Sequence, residues 1–194
     1  MNGEALWWPD LAAACPTGPA GPATVPHDPD DHAGRAEALA AALSGGTVFT
    51  LSRAEQLLLW SARRWRHNRF RWDQVEIEFQ RLLPGGWADA LLAWEDVLEQ
   101  LHLYPAGRPD IGNGCRTALS TDERALLTLV GVLQRRRERL SPSLLLAHLM
   151  PPARQRDLLA PLMALAATLS LGGLCLPLRG VAPVLAPYLE RRYP

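Results

Sequence analysis

The sequence predicts an all-α protein in which a unit of three helices occurs twice within a single domain of residues 32–194. Two observations carry this prediction. Residues 51–103 align with residues 119–171 without a gap at an offset of 68, and 12 of the 53 aligned positions are identical. In both copies apolar residues recur every three or four positions, which is the spacing of amphipathic helices. We therefore expect two pseudo-symmetric three-helix units that pack as one helical bundle.

The first 31 residues differ in composition from the rest of the chain. They contain six prolines and no apolar periodicity, which is typical of a segment that does not form a core. We predict a flexible tail over residues 1–31. A short helix is expected next, from about Asp31 to Ser44. Gly45-Gly46 is expected to end it, because glycine readily adopts the conformation found just after helices.

Each unit opens with the S-x-x-E pattern of a capping box. Ser52 and Glu55 form this pattern in the first copy, and Ser120 and Glu123 form it in the second. In such a box the two side chains bind backbone amides that the first helical turn leaves without partners. The pattern predicts one helix directly after Ser52 and another directly after Ser120.

The second and third helices of each unit follow from caps and apolar spacing. Asp73 in the first copy and Ser141-Pro142 in the second are typical of a helix start. The third helix has four pairs of apolar residues at helical spacing. These pairs are Leu91 with Leu159, Trp94 with Leu162, Leu98 with Ala166, and Leu101 with Leu169. A last short helix is expected at residues 183–192.

The stretch between Asp157 and Arg179 carries no charge over 21 residues, a length that is sufficient to cross a bilayer. However, Pro161, Gly172-Gly173 and Pro177 interrupt it, and its counterpart in the first copy contains three acidic residues. We therefore expect no membrane insertion. The expected structure is a helix of about 14 residues, more deeply buried in the protein than its counterpart.

Composition excludes several classes of protein. The 20 basic residues are all arginine and are balanced by 20 acidic residues, so no net charge draws the whole molecule to DNA or anionic lipid. The absence of lysine excludes lysine-dependent catalysis. Cys15, Cys115 and Cys175 lie far apart and form no CxxC pair. We therefore expect no disulfide framework, no thiolate zinc site and a cytoplasmic location.

Arginines concentrate at the end of the first helix in each unit. The first bend lies in RRWRHNRFRW at residues 63–72, and the second lies at residues 135–139. Because guanidinium groups suit carboxylates and phosphates, we predict that the bends flank an apolar groove between the units that receives a macromolecular partner. The predicted partner-binding residues are Arg63, Arg64, Arg66, Arg69, Arg71, Arg135, Arg136, Arg137 and Arg139, with Trp60 and Trp87 as aromatic anchors.

Two other interpretations apply to the same residues. Arginines at the C-terminal end of a helix complement the helix dipole by about 0.3–1 kcal/mol each, and Trp65 and Trp72 are expected to fill the core. The arginines also suit a phosphate backbone, so a nucleic-acid-binding protein is the main functional alternative. Against it, the prospective recognition helix, from Pro142 to Met150, is almost wholly apolar and is expected to be buried.

A cluster near the end of the N-terminal segment contains residue types that bind metals. Imidazole and carboxylate groups suit zinc or another divalent ion, although ordinary N-capping of the following helix explains the cluster adequately. The candidate ligands are His27, Asp28, Asp30, Asp31 and His32.

The sequence contains no catalytic motif, and we expect no catalytic residues and no cofactor. A small enzyme that uses His102 and Cys115 as a base and nucleophile is the second functional alternative. The preferred prediction is a non-enzymatic helical adaptor or regulatory protein that binds a protein partner.

Overall fold

The computed structural model describes residues 32–67, 71–135 and 142–178, and the regular structure in these ranges is helical. They contain seven α-helices and no strand beyond one isolated antiparallel bridge between Thr47 and Ala118. The helices are α1 (His32–Ala42), α2 (Arg53–His67), α3 (Trp72–Leu82), α4 (Trp87–Leu103), α5 (Thr121–Gln134), α6 (Ser143–Leu149) and α7 (Gln155–Leu171). The predicted all-α class is confirmed. The predicted tail and the predicted helix at 183–192 lie outside the described residues.

Helix α4 packs against α7, and this is the most extensive contact between two helices. Helix α7 also packs on α5, α3 packs on α4, and α6 packs on α5. Helix α2 contacts both α3 and α5. All seven helices contribute side chains to a shared cluster of buried apolar residues, in which Trp94 and Phe79 are the largest fully buried members.

Both predicted capping boxes are formed. The Ser52 amide donates to Glu55 Oε2 at 2.7 Å, and the Glu55 amide donates to Ser52 Oγ at 3.4 Å. Ser120 and Glu123 form the same reciprocal pair, with both bonds at 3.0 Å. Helices α2 and α5 accordingly start directly after the two serines, as predicted.

Helix α1 ends where the sequence predicts, just before Gly45 and Gly46. Both glycines have positive φ, at 74° and 96°, a conformation that a Cβ atom disfavours. Arg124 of α5 closes this end of α1 by donating to the carbonyl oxygens of Ala42 at 3.0 Å and of Gly45 at 2.6 Å. The bond to Ala42 satisfies a carbonyl that the last helical turn leaves without a partner, and both bonds attach the end of α1 to α5.

Replacement of Arg124 by leucine is expected to loosen the end of α1 without unfolding the protein. Losing two or more hydrogen bonds to a charged donor should raise the exchange rate of backbone amides near Ala42 by roughly tenfold, which corresponds to about 1.4 kcal/mol of local opening. Hydrogen–deuterium exchange measures this change. The exposed Arg53→Leu variant is the control and should leave α1 exchange unaltered. Equal protection of α1 in both variants would contradict the assigned role of Arg124.

Helix α7 is uncharged after its first turn, but it is not more deeply buried than α4. Five residues of α7 are buried, against seven of α4. The outward positions of α7 include Ala160, Ala164 and Ala167, and small apolar residues tolerate exposure to water. The prediction of greater burial was therefore wrong, because lack of charge does not require burial. No described helix is both long and apolar enough to cross a membrane.

The predictions for the aromatic residues and for α6 agree with the structure. Trp65 is buried, and Trp72 is half-buried and packs against the core. In α6, the segment considered as a recognition helix, Leu145, Leu146 and Leu149 are buried. A helix whose apolar face is already packed inside the protein does not present that face to a DNA groove.

The cysteines differ in state. Cys115 is exposed and free, whereas Cys175 is disulfide-bonded. The cysteine spacing did not predict a disulfide. Whether two cysteines can bond depends on the distance between them in the folded chain, and their separation in sequence does not report that distance.

Candidate functional site

Arg63, which the sequence assigns to an exposed bend, is buried in the structure. Its Nε donates to Glu123 Oε1 at 2.7 Å and its Nη2 donates to Glu123 Oε2 at 2.9 Å. The Arg63 side chain is 4% exposed and the Glu123 side chain is fully buried. A bidentate pair of this kind neutralises both charges inside the protein. Arg63 is therefore removed from the predicted partner-binding set.

The Arg63–Glu123 pair fastens the segment that joins α4 to α5, residues 104–119, which we call the connector. Arg63 donates to the carbonyl oxygens of Arg116 and Ala118 in this segment. Glu123 Oε1 accepts the Gly112 amide at 2.9 Å. One buried ion pair thus ties the connector to both α2 and α5.

Three further hydrogen bonds hold the first half of the connector in place. The Ala106 amide donates to the Leu149 carbonyl at the end of α6, at 3.1 Å. The Asp110 amide donates to Asp122 Oδ2 at 2.7 Å. His67 Nε2 lies 3.1 Å from the Ile111 carbonyl oxygen. Because its backbone is bound at several points to three helices, the connector forms a fixed wall.

Two adjoining concave regions lie along this wall. The first groove has a volume of about 380 Å³ and is lined by α2, α4 and the connector. The second groove has a volume of about 300 Å³ and is lined by α4, α5, α6 and the connector. Both volumes fall at the lower end of the range of about 300–1,000 Å³ that is usual for ligand sites.

The first groove combines an apolar interior with a cationic edge. Its apolar lining includes Trp65, Leu98, Leu101 and Ile111. The charged or titratable side chains in its lining are those of Arg66, His102 and Arg108, and all three residues are exposed. No carboxylate is among the lining residues. The edge therefore favours an anionic group, which places that group beside an apolar surface.

Arg66 and His102 are close neighbours at this edge. Arg66 Nη1 lies 3.2 Å from His102 Nδ1, and because a guanidinium only donates, Nδ1 is the acceptor in this contact. The His102 ring also meets the Trp65 ring edge-to-face, with 5.5 Å between ring centroids. These contacts orient the ends of α2 and α4 toward the same opening.

The second groove has a balanced charge. His148 Nε2 lies 2.8 Å from Asp122 Oδ1. The hydrogen bond from His148 is the main cause that holds the pKa of Asp122 below its ordinary value of 3.8, and the Asp110 amide adds to the effect while partial burial opposes it. Since its carboxylate already has two donors, this groove is less suited than the first to an added anion.

The Asp122 carboxylate is expected to stabilise the fold at neutral pH and to lose this effect in acid. Because its folded pKa is lower than 3.8, the unfolded state binds the proton first. The contribution of Asp122 to the free energy of unfolding is complete above pH 3.8 and disappears as the pH falls through the pKa of Asp122 in the folded protein. Asp122→Asn should cost roughly 1 kcal/mol at pH 7 and flatten the acid limb of stability, measured by urea unfolding at several pH values. An unchanged acid limb would contradict this role.

The other predicted residues of the two arginine bends have separate roles. Arg64 is half-buried, with its guanidinium carbon 4.9 Å from the centre of the Trp60 ring. Arg71 is exposed. Arg135 donates to the Gly131 carbonyl at 2.8 Å and to the Leu176 carbonyl at 2.6 Å, so it holds the segment after α7 against α5. Among the described arginines of the first bend, only Arg66 lines the first groove.

Arg63 and Arg135, which are described residues of the two arginine bends, lie far apart. The contact between Arg63 and Glu123 places the end of α2 at the start of α5. Arg135 follows Glu123 by twelve positions, which is about 18 Å along a helix. The predicted groove flanked by the two bends stays a prediction, because Arg69, Arg136, Arg137 and Arg139 lie outside the described residues. Trp60 and Trp87 are half-buried against the core and line neither groove.

Several predicted residues lie where the structure makes no statement. Arg69, Arg136, Arg137 and Arg139 fall outside the described ranges, as do His27, Asp28, Asp30 and Asp31, and the side chain of His32 is likewise not described. Among the described residues, no group of three His, Cys, Asp or Glu side chains could hold a metal ion.

The pair required by the enzyme alternative is not formed. His102 contacts Arg66 and Trp65, whereas the Cys115 amide binds Asn113 Oδ1 at 3.1 Å in an exposed turn. No hydrogen bond joins His102 to Cys115 in the described part of the chain.

Arg108 and Ile111 were missed by the sequence analysis. Both lie in the non-helical connector, where periodicity has no meaning. The prolines on either side of Arg108, at positions 105 and 109, were the available signal, because proline restricts the backbone and stiffens a loop.

Comparisons with known protein families, with curated proteins and with solved structures find no match for this chain. The function therefore has to be argued from the geometry and charge of the grooves.

Proposed function

We propose that this protein is a non-enzymatic helical adaptor or regulatory protein that binds an acidic protein partner through the first groove. The observation that carries the proposal is the placement of Arg66 and Arg108 at the edge of an apolar cavity whose lining contains no carboxylate. A partner with an apolar side chain beside an acidic group would match both features.

The energetics favour a local contact over long-range attraction. The chain has zero formal net charge, so steering must come from the charges at the groove itself. Buried apolar anchors and arginines contribute most of the free energy at protein interfaces. The connector also favours binding, because a segment whose backbone is already held by hydrogen bonds loses little conformational entropy when a partner binds.

Charge reversal at the groove edge tests the proposal. The double variant Arg66→Glu, Arg108→Glu is expected to weaken partner binding by roughly ten- to a hundredfold, about 1.4–2.8 kcal/mol. The matched control is Arg53→Glu, which reverses an exposed charge at the other end of α2, about 20 Å from Arg66. Affinity capture from the native host, followed by mass spectrometry, should recover the partner with the wild-type chain and with the control only.

The salt dependence of binding separates the adaptor from the nucleic-acid-binding alternative. A nucleic-acid-binding protein would bind nucleic acid with an affinity that falls steeply as salt concentration rises. Adaptor function predicts no such affinity and a protein partner that is retained at moderate salt. Retention of the same partner by the double variant would overturn the proposal.

We also propose that the two halves of the helical region are copies of one unit. The supporting observation is that α5 and α7 begin 68 residues after α2 and α4, at Thr121 and Gln155 against Arg53 and Trp87. Applied to the start of α3, the offset of 68 would place the start of α6 three residues before Ser143, where α6 begins. The contact between α5 and α7 is also more extensive than the contact between α2 and α4. Superposition of an experimental structure's residues 53–103 on residues 121–171 would test the repeat.

The cytoplasmic location was predicted because the cysteine spacing indicates no disulfide, and it stays a prediction. The disulfide at Cys175 is more typical of an oxidising compartment. Fractionation of host cells, with detection of the chain by antibody, would decide between the two.

A further inference from the structure

We propose that the group received by the first groove is the C-terminal residue of the partner polypeptide, with its free α-carboxylate at the arginine edge and an apolar side chain inside. This inference rests on the proposed function and specifies its partner. It requires a cavity of single-residue size, a cationic edge that is free to bind, and an apolar surface within reach of that edge.

The size of the groove favours one residue over a longer segment. A volume of about 380 Å³ lies near the minimum for ligand sites. A partner helix would need an elongated channel for side chains one and two turns apart. The first groove continues into the second along the connector, but the lining of the second contains Asp122 and that of the first contains no carboxylate. The anionic residue of the partner is therefore assigned to the first groove alone.

The charges select a carboxylate. Neither Arg66 nor Arg108 forms an ion pair with any described residue, and both are exposed. Asp110, the nearest acidic residue of the connector in sequence, is already paired with Arg116 at 2.8 Å and 2.9 Å. A guanidinium has five N–H donors, so Arg66 can keep its contact with His102 Nδ1 and still bind a carboxylate with two parallel hydrogen bonds.

The proximity of charge and apolar surface favours a chain end over an internal acidic residue. In a C-terminal residue, the carboxylate and the side chain are attached to the same Cα atom. An internal Asp or Glu carries its charge at the tip of the side chain, so the apolar group has to come from a second residue. Trp65 and Arg66 both line this cavity, so the apolar and the cationic surface belong to one groove.

Synthetic peptides test the inference on the full-length protein. The probes are N-acetylated hexapeptides of glycine and serine that end in leucine, prepared either as the free acid or as the C-terminal amide. Calorimetry or fluorescence anisotropy is expected to show at least tenfold tighter binding of the free acid. Replacing the terminal leucine by serine should weaken binding by a similar factor, because the apolar contact is lost.

The protein variants locate the site. Binding of the free acid should be lost in the double variant Arg66→Glu, Arg108→Glu and retained in Arg53→Glu. Circular dichroism of all three proteins verifies that the exposed substitutions leave the helices intact. Binding that survives the double variant would place the peptide elsewhere and overturn the inference.

Other occupants give different results, and each contradicts the assignment. Equal binding of the acid and the amide would exclude recognition of the terminal carboxylate. If an amidated peptide with an internal glutamate binds as tightly as the free acid, the groove recognises an acidic side chain and not a chain end. N-acetyl-leucine carries the same carboxylate and side chain and should bind almost as tightly as the hexapeptide, because only the last residue enters the groove; failure of N-acetyl-leucine to bind would contradict a site of single-residue size.

Failure of this inference can be distinguished from failure of the proposed adaptor function. If host-cell capture recovers a partner that depends on Arg66 and Arg108 while no free-acid peptide binds, the adaptor stands and recognition of a chain end is wrong. If neither is observed, both proposals are wrong.

Discussion

Replacement of Arg63 by methionine is expected to lower the free energy of unfolding by about 3–5 kcal/mol. The substitution keeps most of the side-chain volume but leaves the Glu123 carboxylate buried without its charged partner. It also removes donors from the carbonyl oxygens of Arg116 and Ala118. An uncompensated buried charge is among the few defects that destabilise a domain by this much.

Urea unfolding followed by circular dichroism measures the change. The matched control is Arg81→Met, which breaks the exposed pair between Arg81 and Glu78 at 3.1 Å and should cost less than about 1 kcal/mol. The double variant Arg63→Met, Glu123→Gln should recover part of the loss, because no charge then remains buried and the amide oxygen still accepts from a backbone amide. A loss at Arg63 no larger than that at Arg81 would show that the pair is not buried in solution.

This substitution should also affect the proposed binding groove. The connector is bound to Arg63 and Glu123 through its second half, so its amides are expected to exchange faster in the Arg63→Met variant. A connector that is less ordered in the free protein loses more conformational entropy when the partner binds, so the affinity for the partner falls. The arginine that was predicted to touch a partner is thus expected to act on binding indirectly, by holding the segment that shapes the site.

Replacement of Trp94 by alanine is expected to cost about 3–5 kcal/mol. Trp94 is 0% exposed, and its Nε1 donates to Ser61 Oγ at 2.7 Å. The substitution removes a large packed ring between α4 and its neighbours and also breaks this buried hydrogen bond. Ser61 keeps a partner, because its hydroxyl lies 2.8 Å from the Leu57 carbonyl on its own helix.

The same substitution at Trp87 serves as the control. Trp87 is the first residue of α4 and is only half-buried, so Trp87→Ala should cost about 1–2 kcal/mol. Chemical unfolding of both variants gives the comparison. Equal losses at the two positions would mean that the core is not centred on Trp94.

The hydrogen bond itself can be separated from packing. Trp94→Phe keeps an aromatic ring but removes the indole N–H, and Ser61→Ala removes the acceptor. A double-mutant cycle over these two substitutions is expected to give a coupling energy of about 0.5–1.5 kcal/mol. A coupling near zero would indicate that the bond adds nothing to packing.

Local sequence patterns were sufficient to predict the starts of α2 and α5 and the end of α1. The expected cap of α3 was wrong, because Asp73 lies inside that helix, which begins at Trp72. The capping boxes at Ser52 and Ser120 connect residues three positions apart, and the glycines after α1 act on their own backbone. Such features depend on neighbours in the chain, so they can be recognised without knowledge of the fold. The burial of Trp65 followed from its position in the apolar pattern of α2.

The sequence by itself determined that the chain is helical, where α2 and α5 begin, and that its formal net charge is zero. Only the tertiary structure decided the role of each arginine: Arg63 is buried, Arg135 holds the segment after α7, and Arg66 faces a groove with Arg108. Side chains of one type are indistinguishable in a local pattern. Their environments depend on contacts such as that between Arg63 and Glu123, which are 60 positions apart and exist only in the folded chain.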